Sequence, residues 1–308
     1  MWTALSLWLV TIASVAAYAV WAQGAISRGA PGWLMVIGAA VVYLALIATF
    51  MATYFALAWW FRAPRPRDVR LGAAGTLRLV GNEYRALAGA ARRMMFYRLL
   101  VRNPPPAPAA LPVLLLHGIL CNAGVWERFA RGLRERGVHP VYTMSYGPPL
   151  ASIETFADQL ARRIDTVLAE TGARDLVIVS HSMGGLVALA YCRRYGAGKL
   201  RRLISLATPY HGSVHAWCFP GVCLSQLRPG NAWLTELQGA PFARPPITSI
   251  WSWHDSMVAP QTSSRLPGAD NIALAGVGHN AMLADARVMA LAVTAIAAAR
   301  TATSESPA

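Results

Sequence analysis

The sequence predicts an α/β fold, a mostly parallel sheet with helices on both faces, preceded by two transmembrane helices. Three observations lead there. Two long apolar runs without charge open the chain. From Pro112 onward, short apolar runs alternate with segments of helical spacing. The apolar content is 55% against 14% charged, high for a water-soluble chain of 308 residues.

The first apolar run extends from Trp2 to Trp21 and the second from Trp33 to Phe61. About 20 apolar residues cross a bilayer core, so each run is long enough. The second exceeds that length, so it tilts or projects from the membrane. Trp2, Trp21, Trp33, Trp59 and Trp60 stand near the run ends, where aromatic belts lie. A cleaved signal peptide competes for the first run, but its opening residues hold no Lys or Arg. The connecting loop carries only Arg28, whereas "RAPRPRDVR" follows the second run. The excess of positive charge puts Arg62 onward on the cytoplasmic side.

The formal charge of +14 is concentrated rather than spread. Ten arginines lie between Arg62 and Arg102, opposed by Asp68 and Glu83. Beside an apolar run, such a block suits anionic lipid headgroups rather than nucleic acid, for which no fold signature is present. Residues 69–101 mix helical periodicity with arginine. They fit either a basic helix on the membrane surface or helices packed on the next domain. "NPPPAPAALP" is a semi-rigid linker. The expected organisation is a two-span hairpin at 1–61, a basic juxtamembrane segment and linker at 62–111, the α/β domain at 112–300 and a disordered tail at 301–308.

Within the domain, "PVLLLHG", "HPVYTMSY", "DLVIVSHS", "LRRLISLATP", "PPITSIWSWHD" and "DNIALAGVGH" read as strands. Helical segments separate most of them, one starting after Ser152 as its cap. The last, "AMLADARVMALAVTAIAAAR", contains Asp285 and Arg287 and reads as a packing helix rather than a third span. A sheet of this kind binds ligands at the C-terminal ends of its strands. His117, Ser182, Asp255 and His279 all fall at such ends.

Ser182 sits in "VIVSHSMGG", between a strand and a glycine pair. A serine on that turn is raised clear of the sheet, at the cost of strained backbone and crowding. A plain helix cap would leave the same trace. "LLLHGIL" supplies a turn after the first strand, and the main-chain N–H groups of Ile119 and Met183 are assigned as oxyanion donors. His117 reads as a turn-bonding residue. Acid and base follow the serine in chain order, which selects Asp255 and His279. His279 would accept the Ser182 proton, and Asp255 would orient the imidazole. His181 is expected to point away, His254 to face the other side of its strand, and Asp270 to serve a turn. His211 and His215 are expected near the pocket.

"HGIL", "SHSMGG", "ATPYHGS", "HDSMVAP" and "GVGHNAM", in this order, resemble the α/β-hydrolase superfamily, and among it the bacterial triacylglycerol lipases and esterases. The resemblance covers about residues 112–300 and implies the roles given above to Ser182, Asp255, His279, Ile119 and Met183. Ser180 departs from the pattern, which has glycine or alanine there, and its hydroxyl needs a partner. The N-terminal hairpin lies outside the resemblance. Together these readings imply an integral protein of a bacterial inner membrane.

Residues 212–246 break the strand and helix rhythm with an apolar insertion, expected to be a cap over a hydrophobic acyl pocket, with a pair of ordinary packed helices as the alternative. The function expected is a membrane-anchored serine ester hydrolase acting on a hydrophobic acyl ester or lipid. Acyl transfer and thioester cleavage use the same triad, and a non-catalytic membrane scaffold is the reading from another class. No cofactor or metal is expected, since no acidic cluster suits calcium. Four cysteines form no disulfide framework, although Cys218 and Cys223 are close enough in sequence to bridge. Protein partners are unspecified.

Overall fold

The opening apolar runs become two long helices in the computed structural model, which describes residues 2–304. α1 covers Trp2–Ser27 and α2 Gly32–Trp60. Tyr18 Oη donates to the Met35 carbonyl at 2.6 Å, and a Cβ on Gly38 would come within 2.7 Å of that hydroxyl. Glycine therefore lets the two helices approach closely there. Most of the remaining apolar surface faces outward, with Val20 and Val36 each 73% exposed. In water such a surface would be an aggregation liability.

α3 (Ala73–Met95) and the single turn α4 (Tyr97–Leu100) follow. The two readings of residues 69–101 are resolved for α3. It buries Leu79, Glu83 and Ala90, spaced as one helical face, against the turns at Ala123–Trp126 and Ala281–Ala284. The proline-rich segment after it is pinned at its start. Asn103 accepts from Thr143 N–H at 2.7 Å and donates to the Thr143 carbonyl at 3.1 Å, covering part of the sheet edge.

The domain then alternates as expected. β1 (Val113–Leu116) leads to α5 (Glu127–Glu135), β2 (Val141–Thr143) to α6 (Ile153–Thr171), and β3 (Leu176–His181) to α7 (Gly184–Tyr195). β4 (Leu200–Leu206) precedes the short helices α8 (Val222–Gln226) and α9 (Ala232–Gly239). β5 (Ile247–Ser252), β6 (Asp270–Leu274) and α10 (Ala286–Ser304) complete it. The six strands run parallel in the order β2-β1-β3-β4-β5-β6.

Alternate residues of β1 enter different cores. Leu114 and Leu116 join α6 and α7, while Val113 and Leu115 join α5 and α10. Burial on both faces explains why the strands read as continuous apolar runs. Ser152 caps α6 by accepting from Glu154 N–H, and Gly172 ends it at φ 66°. α10 buries Val288, Ala292 and Ile296, as a packing helix does. The tail expected to be disordered from Thr301 is helical as far as Ser304, and residues 305–308 lie outside the described residues. Cys218 and Cys223 are free thiols.

Register sets the level of the site. Leu116 pairs with Ser180 and Ser180 with Ser205, so β1, β3 and β4 end together. His117 and Ser182 therefore emerge side by side above the sheet.

Candidate active site

Ser182 occupies the turn between β3 and α7 with φ 56°, a left-handed conformation that L residues avoid. Its N–H is held by the Leu206 carbonyl at 2.8 Å. The glycines behind it are required by crowding rather than by dihedral angle. A Cβ on Gly184 would meet the Leu116 and His117 carbonyl oxygens at 2.6 and 2.7 Å, and one on Gly185 would collide with the Thr208 side chain. The extra hydroxyl of Ser180 is fully buried and reaches the Ile204 carbonyl at 3.5 Å, so the departure from the glycine pattern is accommodated.

The turn after β1 lies against the serine. A Cβ on Gly118 would stand 2.8 Å from the Ser182 Cβ, so only glycine fits. His117 is buried, accepts from Tyr146 N–H through Nε2, and donates from Nδ1 to the Gly118 carbonyl at 2.8 Å. Tyr146 Oη in turn donates to the His117 carbonyl. Burial lowers the His117 pKa to about 4, so the ring is neutral and structural, as expected. A trans peptide points its N–H opposite to its carbonyl. Holding the Gly118 carbonyl on the His117 side thus turns the Ile119 N–H away from it. Ile119 lines the cavity beside Ser182, and Met183 N–H opens α7. Leu120, at φ 54°, is a second strained residue in this turn.

Asp255 and His279 are brought together from the loops after β5 and β6. His279 Nδ1–H donates to Asp255 Oδ2 at 2.9 Å, with Oδ1 at 3.1 Å. Both groups are buried. Asp255 Oδ1 also accepts from the Met257 and Val258 N–H groups, each at 2.7 Å. Burial opposes the Asp255 charge, but His279 and these two N–H groups outweigh it and hold its pKa below the usual value. Burial likewise opposes protonation of His279. The Asp255 charge and hydrogen bond prevail, with a contribution from Glu83, and its pKa is raised above 6.5. A protonated His279 cannot accept a proton. For any reaction in which His279 must accept a proton, kcat/KM is therefore expected to fall as pH drops through that raised pKa, with its acid midpoint above 6.5. A pH–rate profile checks this, and full activity down to pH 5 would contradict it.

One residue escaped the sequence reading. Glu83 of α3, only 2% exposed, accepts from Ser256 Oγ at 2.8 Å, from Asn280 N–H at 2.9 Å, from Asn280 Nδ2 at 2.8 Å and from Ala281 N–H at 2.9 Å. It thus clasps the residue after Asp255 and the two residues after His279. A side chain on Gly278 would collide with it. In the sequence Glu83 is one of two acids among ten arginines, and only tertiary contact reveals its partners.

His181 corrects another expectation. It does not point away: its ring packs 4.6 Å from that of His279, and its Nε2–H donates to the His279 carbonyl at 3.1 Å. Burial, with the neighbouring His279, lowers its pKa to about 3, so it is neutral. His254 accepts from Gly276 N–H at 3.1 Å, whereas Asp270, expected in a turn, is the exposed first residue of β6. His215 lines the cavity, whereas His211 bonds the Arg265 carbonyl outside it.

Ser182 and His279 face one cavity of about 330 Å³ with a mostly apolar lining. The insertion at 212–246 supplies part of the wall through Ala216, Phe219, Leu224 and Leu227. Its second half departs from the cap expectation. α9 packs Leu234 and Leu237 into the core beside α7, and Trp233 Nε1 donates to Glu154, so this half braces the domain rather than covering the site. Another part of the wall comes from an unexpected source: Phe50 and Tyr54 of α2, and Leu87, Ala90 and Met94 of α3.

Residues 112–252 match the family described as alpha/beta hydrolase fold. That stretch includes Ser182 and ends before Asp255 and His279. A non-heme chloroperoxidase, CPO-A1, of Kitasatospora aureofaciens is 29% identical over 103 residues, covering 31% of this chain and 36% of that protein. The chain thus aligns with little more than a third of the curated relative it matches. Among solved structures, Aspergillus fumigatus lipase B superposes with a TM-score of 0.57 at 17% identity, over 81% of this chain and 80% of its own. Bacillus licheniformis lipase BlEst2 in mature form gives 0.52 at 17% identity, over 60% and 91% respectively. At such identities the likeness concerns the fold. With its parallel sheet, its turn serine and these matches, the chain is an α/β-hydrolase fold preceded by two long apolar helices.

Proposed function

We propose that this chain is a membrane-anchored serine ester hydrolase acting on hydrophobic acyl esters. One observation carries the reading: a serine on a strained turn and a histidine paired with a buried aspartate line the same apolar cavity. Ser182 Oγ attacks the ester carbonyl carbon while its proton passes to His279 Nε2. The resulting oxyanion accepts hydrogen bonds from the Ile119 and Met183 N–H groups. Collapse breaks the ester C–O bond, and the departing alcohol takes the proton from His279. Water then attacks the acyl-Ser182 ester with His279 as base, and the free acid leaves. Asp255 stays ionised throughout and stabilises the imidazolium.

The test is hydrolysis of p-nitrophenyl esters from acetate to palmitate by the full chain in detergent, with fluorophosphonate labelling to locate the nucleophile. Turnover together with a label on Ser182 is the expected result. A wild-type protein that hydrolyses no ester and takes no label would sink the reading.

The exposed apolar surfaces of α1 and α2 support membrane anchoring, because core helices would be buried. The start of α1 is also tied to the domain, since Thr3 Oγ1 donates to the Cys121 carbonyl at 3.0 Å. That contact, like the end of α2, places both outer ends of the hairpin beside the hydrolase domain. With the arginine block this argues for a cytoplasmic domain. Protease added outside right-side-out vesicles should spare the domain, and protease added to inverted vesicles should cleave it. The opposite pattern would reverse the orientation.

A further inference from the structure

We infer that α2 is part of the acyl-binding site, and that the substrate is a bilayer-resident acyl ester that reaches Ser182 sideways from the membrane along α2. The inference rests on the hydrolase reading above and adds the source and path of the substrate.

Helix length comes first. The 29 residues of α2 make about 43 Å at about 1.5 Å per residue, against about 30 Å of hydrocarbon. About 20 residues from Gly32 reach Met51. Phe50 and Tyr54, the cavity residues of α2, therefore lie where the helix leaves the hydrocarbon. A wall residue at that depth places the cavity mouth at the headgroup level.

The position of α2 is fixed by hydrogen bonds. His215 Nε2–H donates to the Tyr54 carbonyl at 3.1 Å, and the two rings stack at 4.9 Å with 6° between planes. Burial lowers the His215 pKa, so it is neutral and suited to this stacking. Gln261 Nε2 donates to the Ala58 carbonyl at 3.3 Å and to the Asp255 carbonyl at 3.2 Å, while its Oε1 accepts from Ala63 N–H at 3.3 Å. The membrane helix is thus tied to the insertion and to the loop of the catalytic acid.

The surface near the cavity carries the third observation. Leu120 is 51% exposed, Phe219 46% and Val222 56%, and the first two also line the cavity or its edge. Exposed apolar residues continuous with an apolar cavity and an uncharged helix form one surface suited to an acyl chain. An ester lipid meets it with its chain among Phe50, Tyr54 and Phe219 and its ester at Ser182. A substrate drawn from water would have no use for a wall built from a membrane span.

The experiment uses the full chain reconstituted in phosphatidylcholine vesicles. A long-chain fluorogenic acyl ester is placed either in the same vesicles or in separate ones, at equal total amount. The expected initial rate is at least about tenfold higher in the same bilayer and follows the surface mole fraction of the ester, not its bulk concentration. Narrowing the wall by Leu87→Trp, and opening it by Phe50→Ala, should shift the preferred acyl length in opposite directions in a p-nitrophenyl ester series. Equal rates in the two arrangements, or a length preference that neither substitution moves, would overturn the inference. A wild-type chain that cleaves soluble esters but shows no same-bilayer preference leaves the hydrolase reading standing. One that cleaves no ester removes both.

Discussion

Ser182→Ala is expected to lower kcat for p-nitrophenyl ester hydrolysis by about 10⁴-fold or more, with the fold intact. That loss corresponds to about 5 kcal/mol of barrier. The whole acyl-enzyme route depends on one oxygen; the Cys121 thiol also lines the cavity, but burial pushes its pKa up to about 12 and keeps it protonated. His181 is neutral and its one N–H is committed to the His279 carbonyl. His117 is likewise committed, to Gly118 and Tyr146. The residual rate should be that of a site that still binds the ester and polarises its carbonyl. Removing His279 as well should cost little more, because the two residues act as a unit. The substitution deletes one hydroxyl and leaves the Ser182 N–H bond to Leu206, so the thermal midpoint should stay within a few degrees. Circular dichroism checks the fold beside the assay. Equal activity in both proteins would move the nucleophile elsewhere.

Glu83→Gln should produce the second large effect, through geometry rather than chemistry. Every partner of Glu83 is a donor, an arrangement that suits an acceptor-only carboxylate. An amide sets an NH₂ group against at least one of them, leaving buried donors unsatisfied at about 1–3 kcal/mol each. The loops that carry Asp255 and His279 share this clasp, so their pairing loosens. The expected loss in kcat is about tenfold to a hundredfold. The pH profile separates this from simple destabilisation. The Glu83 charge helps raise the His279 pKa, so removing it should move the acid limb to lower pH. A merely weakened fold would leave that limb in place. An unchanged kcat with an unchanged acid limb would show that α3 only shields the domain.

Much of the domain was legible because its signals are local. Short apolar runs such as "VLLL" and "LVIV" mark strands buried on both faces, and Ser152 and Gly172 mark helix ends by their own backbone requirements. Ser182 announced itself because a serine on a tight, crowded turn demands small neighbours, and Gly184 and Gly185 are those neighbours. Asp255 and His279 were legible from chain order and strand ends, and the structure brings their side chains into contact. The insertion at 212–246 was legible as an apolar interruption, but not as to which half lines the cavity and which packs into the core. An apolar helix has the same composition whether it roofs a cavity, as α8 partly does, or braces a core, as α9 does.

The sequence by itself determined the alternation that makes the parallel sheet, the turn that raises Ser182, and the two long uncharged helices. Each follows from spacing and side-chain chemistry within a few residues. Only the tertiary structure decided that Glu83 clasps the loops after β5 and β6, that His181 supports His279, and that α2 and α3 wall the cavity. These are contacts between residues far apart in the chain, such as Glu83 with Asn280 and Tyr54 with His215. No periodicity records them, because a hydrogen bond depends on where folding brings its partners and not on their separation in sequence.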